Sequence, residues 1–297
     1  MEWMERLNEA IAYMEEHMQE EISFEEVAKI ACTSSYNFQR MFSYMTGISL
    51  SEYIRRRRMS LAAEELQQGT DKIIDIALRY QYASPTAFNR AFRSVHGIAP
   101  SQVRNAQAAV KLYPPLHFQL SIAGSRELNY RIVKKDAFRV VGVCHELEKE
   151  LEKNYEVVPN LWRTAAEDGT IADLSAHIDA KEPSGLLGIS MCQDLKDWKF
   201  WIGVVSEEPL NGYEELQLPK ASWIVFQCEG THASIQELER RIWTEWFPST
   251  GYQYVNGPVM EVYLDPDPSS SRLEMWLMIT DMKSTQYRTE KERIERT

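Results

Sequence analysis

The chain has 297 residues, 44% of them hydrophobic and 26% charged, with a formal net charge of -11. That length and apolar content describe a globular protein of two or three domains and exclude a disordered or fibrous one. The acidity excludes a general polyanion binder, so a nucleic-acid role has to be read from where the basic residues lie.

The first stretch, MEWMERLNEAIAYMEEHM, is acidic and places Trp3, Leu7, Ile11 and Met14 on one face of a helix over 3–18. It lacks the basic start and apolar run of a signal peptide, and no later stretch is apolar enough to span a bilayer. A cytoplasmic protein without a membrane partner is expected. Ser23 with Glu26 then reads as the capping box of a second helix.

From Ser34 the chain repeats itself. SSYNFQRMFSYMTGISLS realigns fifty positions later onto SPTAFNRAFRSVHGIAPS, bringing Ser34 onto Ser84, Phe38 onto Phe88, Arg40 onto Arg90, Phe42 onto Phe92 and Gly47 onto Gly97. In each copy a short amphipathic run leads to a serine suited to N-cap a second helix, with Pro85 at the favoured next position in the later copy. The two phenylalanines, four apart, fall on the buried face. Gln39 and Arg40, like Asn89 and Arg90, then point outward, and Gly47 and Gly97 suit a left-handed helix end. Helix, tight turn and helix with a polar outer edge is a DNA-reading unit. The charge agrees: residues 34–111 carry eleven basic and five acidic side chains, whereas 1–33 carry two and nine.

Between the copies a helix over 51–68 carries Arg55, Arg56, Arg57 and Arg58 around a full turn, so all four cannot meet DNA. One or two, Arg55 among them, are expected on phosphate, and the rest on Glu52, Asp71, Asp75 or solvent. A rigid connector would hold the two readers about one duplex turn, roughly 34 Å, apart.

In QRMF, TGISLSEYIRRRRM and HGIAPSQVR the chain resembles the AraC/XylS family of transcription activators over residues 5–105. The resemblance implies double-stranded DNA as partner, RNA polymerase as the target of activation, and base-facing positions at Ser35, Tyr36, Gln39 and Arg40 and at Pro85, Thr86, Asn89 and Arg90. Cys32 and Gln81 stand where relatives carry a turn glycine, which predicts turns that are either differently shaped or slightly strained. Val103 replaces a frequent tyrosine.

An alanine-rich helix over 99–111 is expected to close this first domain, residues 1–110. Pro114 and Pro115 break helical continuity, and a linker is placed at 111–126. Beyond it, 137–146, 186–191, 198–205, 222–229, 258–264 and 272–279 read as strands, and 155–167 and 234–247 as helices. Strand, helix, strand, strand appears twice, an α+β arrangement with a cleft expected where the halves meet. The expected whole is multidomain: an all-α double helix-turn-helix domain, then a duplicated β-α-β-β domain over 127–281 and a charged tail over 282–297. Asp265 to Ser271 reads as an exposed hairpin tip.

On YRIVKKDAFRVVGV, FWIGVV, KASWIVFQCEG, EWFPSTGYQ and LEMWLMI, the second half resembles the GyrI-like effector-binding domain. The resemblance implies a pocket for hydrophobic, often cationic, small molecules with a glutamate on the last strand. Strand alternation sets Glu274 on one face with Trp276, and Trp201, Trp223 and Tyr263 lie on the other expected strands. A carboxylate among aromatic faces suits an organic cation. The plainer alternative is a solvated Glu274 with the tryptophans in the core.

Cys32, Cys144, Cys192 and Cys228 lack paired spacing and read as reduced, mostly buried thiols. The six histidines, His17, His96, His117, His145, His177 and His232, show no metal spacing. No nucleophile constellation or phosphate-binding loop implies a catalytic residue or cofactor. Hydrolysis with Glu274 as general base, and a protein-docking sheet domain without ligand, are the competing functions.

Overall fold

The computed structural model describes residues 2–69, 71–104, 109–119, 127–193, 197–230, 232–264 and 271–281. They fall into two compact units, one of residues 1–35 and 46–119, the other of residues 36–45 and 120–297. Residues 265–270 of the expected hairpin tip and the tail (282–297) lie outside the described residues, while Ser271, the last residue of that expected tip, opens a strand.

The helical elements are α1 (Glu2–Glu16), α2 (Phe24–Ile30), α3 (Ser35–Thr46), α4 (Leu50–Gln68), α5 (Ile73–Arg79), α6 (Pro85–His96) and α7 (Pro100–Val103). Ser23 Oγ accepts the Glu26 amide hydrogen, which is the serine half of the expected capping box, and Ser84 Oγ accepts that of Ala87, the cap expected in the second copy of the repeat. Phe38, Phe42, Phe88 and Phe92 are all buried. Phe88 and Phe92 join Met59, Ala62, Leu66, Ile76 and Tyr80 in the core of the first unit.

Gly47 and Gly97 end α3 and α6 at φ of +72° and +80°. Cys32 and Gln81 adopt φ of +53° and +67°, the left-handed region where a Cβ costs about 1–2 kcal/mol. The turns keep the shape that glycine would allow and carry the strain. Cys32→Gly is therefore expected to stabilise the protein by about 0.5–1 kcal/mol, the relieved strain being partly offset by glycine's greater freedom when unfolded. An unchanged or lower urea midpoint would contradict this.

The helix expected over 99–111 is shorter. Regular helix ends at Val103, and residues 105–108 lie outside the described residues. Residues 109–119 run without regular structure and are tied down by side chains: Tyr113 N–H donates to Ser60 Oγ (3.0 Å), and Phe118 N–H to Asn8 Oδ1 (2.8 Å). With Pro114 and Pro115 in the run, its amides find partners on α1 and α4 instead of within a helix. Residues 111–119 of the expected linker thus group with the helical unit.

The second unit is built on β1 (Tyr130–Lys135), β2 (Phe138–Glu146), β3 (Leu186–Gln193), β4 (Asp197–Val205), β5 (Glu214–Leu218), β6 (Ala221–Gly230), β7 (Tyr252–Tyr263) and β8 (Ser271–Asp281). They form one antiparallel sheet in the order β1-β6-β8-β7-β3-β4-β2-β5. The trios β2-β4-β3 and β6-β8-β7 mirror one another, and their second strands, β3 and β7, meet at the centre. Helices α8 (Leu151–Glu167) and α10 (His232–Arg241) follow the first strand of each trio. α10 continues through a π turn at Ile242–Trp246 into the short α11 (Phe247–Ser249). The duplication read from the sequence is thus present. The reading listed neither β1 nor β5 as a strand, and it missed α9 (Thr170–Ser175), which packs its buried Leu174 beneath α8.

The two faces of this sheet differ. One carries Val141, Leu186, Phe200, Ile202 and Val204 against α8. The other gathers Val140, Leu187, Trp201, Leu216, Trp223, Val225, Val262 and Trp276, all strand residues. Phe138 on β2 and Trp223 on β6, far apart in strand order, lie with ring centroids 6.3 Å apart. The sheet therefore curls until this face closes on itself, which twisted sheets achieve readily.

Candidate functional site

The two reading helices, equivalent in sequence, are placed differently. On α6, Pro85, Thr86 and Arg90 are exposed, and Asn89 is half-buried with a side-chain oxygen that has no hydrogen-bond partner among the described residues. On α3, Ser35, Tyr36, Gln39 and Arg40 are all buried, none more than 9% exposed. Residues 36–45 belong to the sheet unit, and Tyr36 sits in its helix-side core, edge-on to Trp198 with centroids 4.9 Å apart.

Polar contacts hold α3 there. Tyr36 Oη donates to Ser190 Oγ (3.1 Å), Asn37 Nδ2 to Tyr254 Oη (2.8 Å), and Tyr155 Oη to Ser43 Oγ (3.1 Å). Arg40 Nη2 pairs with Glu239 on α10 and lies 3.3 Å from Glu261 Oε1 on β7. Its guanidinium also stands 5.8 Å from the centre of the Tyr44 ring.

Around Arg40 lies a cleft of about 320 Å³, formed over the β3–β7 seam between α8 and α10. Tyr155, Trp162, Phe200 and Tyr263 supply aromatic walls, and Glu261 supplies the carboxylate. Tyr263 Oη donates to Glu261 Oε2 at 2.7 Å. Trp162 meets Tyr263 edge-on at 5.0 Å and can approach the sheet this closely because Gly188 lies beneath it. A Cβ at Gly188 would come within 3.0 Å of the Trp162 ring.

Burial shapes the electrostatics. It pushes the Glu239 carboxyl up to about 7, with Arg40 pulling it down and Glu261 adding to the rise. Burial also raises the Tyr263 and Tyr44 phenols, so both stay neutral donors. For Arg40 burial acts downward, but Glu239 and the surrounding phenols and Glu261 outweigh it and hold the guanidinium well above its ordinary value. Two carboxylates thus share one cation in a poorly solvated place, an arrangement that favours keeping a positive charge there.

The expected cleft residues need correction. Glu274 pairs across the strands with Val262, not with Glu261, so it lies on the self-closed face. Arg131 holds it bidentately at 2.7 and 2.9 Å, and Trp276 Nε1 donates to it at 3.0 Å. Trp276, Trp223 and Trp201 are core residues of that same face. Only Tyr263 of the expected set lines the cleft. Glu261, Trp162, Tyr155 and Glu239 were missed. The spacing of Glu261 and Tyr263 in EVY was a usable signal, but nothing local says which sheet face α8 will cover. With Glu274 already engaged by two donors, the hydrolytic reading loses the free base it relied on.

Of the acidic partners expected for the arginine run, only Glu52 is found among the described residues; Asp71 pairs with Arg79 instead, and α1 and the residues after it take up Arg57 and Arg58. Arg55 and Arg56 pair with Glu52, Arg57 with Glu15 on α1, and Arg58 donates to the carbonyls of Met18 and Glu20. Arg57 is buried, and Arg55 is the most exposed of those in ion pairs. The four cysteines are free, but Cys32 is exposed and the others half-buried, so the expectation of mostly buried thiols does not hold. Among the described residues no three His, Cys, Asp or Glu side chains gather to hold a metal, and no helix is long and apolar enough to cross a membrane.

Comparison with known proteins matches residues 27–106 to a helix-turn-helix domain and residues 128–280 to the GyrI-like small molecule binding domain. The chain is similar to the right origin-binding protein of Escherichia coli (strain K12), 24% identical over 86% of this chain and 89% of that protein. It is also similar to the regulatory protein SoxS of Escherichia coli (strain K12), 37% identical over 33% of this chain and 92% of that protein. The HTH-type transcriptional activator AarP of Providencia stuartii is 37% identical over 33% of this chain and 73% of its own length.

Proposed function

The chain belongs to the GyrI-like small-molecule-binding family and, through its helical half, to the AraC-type helix-turn-helix regulators, and from that premise we propose that it is a DNA-binding transcriptional activator governed by an organic cation. The observation that carries the DNA reading is the exposed edge of α6, where Pro85, Thr86 and Arg90 stand free on a serine-capped helix with Asn89 beside them. Arg90 and Asn89 are the base-reading groups, and Arg55 supplies a phosphate contact. Ser35, Tyr36, Gln39 and Arg40 form the second reading edge when α3 is free. Activation proceeds through RNA polymerase. The effector enters the cleft, where Glu261 meets its charge and Trp162, Tyr155 and Tyr263 meet its rings, each cation–π contact contributing about 0.5–2 kcal/mol.

Selection of sites from random DNA should yield a defined sequence. Against that site, Arg90→Ala is expected to lose about 1–3 kcal/mol. Affinity should fall with salt at a log-log slope of roughly -5 if six phosphates are neutralised. Binding that ignored both salt and the substitution would overturn the reading.

A further inference from the structure

The cleft already holds a cation, and it belongs to the reading helix. Arg40 is buried between Glu239 and Glu261, the latter being the carboxylate proposed for the effector. Tyr36 and Tyr44 of the same helix line the same cavity. One helix face therefore carries both the expected base-reading residues and the plug of the cleft.

We propose that Arg40 is a built-in competitor of the effector: α3 seats in the cleft through its guanidinium, an organic cation displaces it, and the displaced helix becomes free to read DNA. The inference rests on the cation-binding reading of the cleft and adds its regulation.

Sterics and charge both make the two states exclusive. A seated α3 has Tyr36, Gln39 and Arg40 covered, so it offers no polar edge to a major groove. An effector ion-paired to Glu261 puts a second positive charge next to Arg40, beside rings that Arg40's own helix partly supplies. The observed effector affinity is then the intrinsic one multiplied by the fraction of molecules with α3 unseated. By linkage the effector tightens DNA binding by the factor by which DNA tightens effector binding. The contrast with α6 supports this: the equivalent Arg90 is exposed, and among the described residues no carboxylate pairs with it.

The test uses the full chain, tetraphenylphosphonium as the cation and triphenylphosphine oxide as its neutral counterpart, with affinities from calorimetry. Arg40→Gln is expected to bind the cation at least tenfold more tightly than the unaltered chain. Glu239→Gln, which loosens the seat while keeping Arg40 available to DNA, is expected to bind the selected site about tenfold more tightly without cation and to gain little on its addition. Amide exchange over residues 36–45 should speed up when the cation is added to the unaltered chain. Equal cation affinities in the unaltered and Arg40→Gln chains would overturn the competition while leaving the cation site standing. Failure of both chains to bind the cation, or equal binding of the neutral compound, would overturn the cleft reading and the competition with it. If Glu239→Gln does not fold, the Arg40→Gln comparison decides alone.

Discussion

Glu261→Gln is expected to weaken tetraphenylphosphonium binding about 30- to 100-fold, whereas Glu274→Gln leaves that affinity within about twofold. Two unit charges about 4 Å apart at an effective dielectric constant near 20 attract by about 4 kcal/mol, and desolvating the carboxylate takes back part of it. A net of about 2–3 kcal/mol corresponds to the stated range. The Glu261 side chain is 19% exposed, so it is neither fully screened nor fully desolvated when the cleft is open. Tyr263 keeps one oxygen engaged and oriented, and the substituted amide can retain that hydrogen bond. The measurement is cleanest in an Arg40→Gln background, where the internal guanidinium no longer competes. A comparable loss in Glu274→Gln would return the site to the last strand and refute the assignment to β7.

Arg57→Ala is expected to destabilise the helical unit by about 3–4 kcal/mol, and Arg55→Ala by less than about 1 kcal/mol, although the two arginines are two positions apart. Arg57 has a side chain only 6% exposed, grips Glu15 at 2.7 and 2.9 Å, and donates to the Tyr113 carbonyl. Tyr53 Oη donates to the same carboxylate at 2.6 Å, so α1, α4 and the segment after α7 converge there. Removing the cation leaves Glu15 charged and largely enclosed, the costly way to break a buried pair. Arg55 instead makes an i, i+3 pair with Glu52 with its own side chain 42% exposed, where solvent screening leaves little to lose. Urea unfolding followed by helical ellipticity measures both. Equal effects would mean that burial is not what separates the four arginines.

The fold was largely legible because its signals are local. Ser84-Pro85 caps a helix, Phe88 and Phe92 lie on its buried side, and Gly97 ends it. Alternation along β8 sorted Leu273, Met275, Leu277 and Ile279 from Glu274 and Trp276, and the register agrees. β5, with its charged EELQL, was missed because an edge strand with one buried side resembles a loop. The helix expected over 99–111 followed alanine content, a weak preference: regular helix ends at Val103, and the Lys111 N–H donates to His96 Nδ1 rather than to a helical carbonyl.

What the amino-acid order determined by itself was most of the elements, their duplication and the kind of chemistry available: two matched helices, the second with its serine cap, and acidic side chains among aromatic ones on alternating strands. Each depends on neighbours a few positions away. Only the tertiary structure decided that Glu261, not Glu274, faces the cleft, because a strand's two faces are equivalent until α8 covers one and the curling sheet closes the other. It also decided that α3 is covered while its near-twin α6 is open. The groups that cover α3 lie more than a hundred residues further along the chain, and no pattern within the repeat can register them.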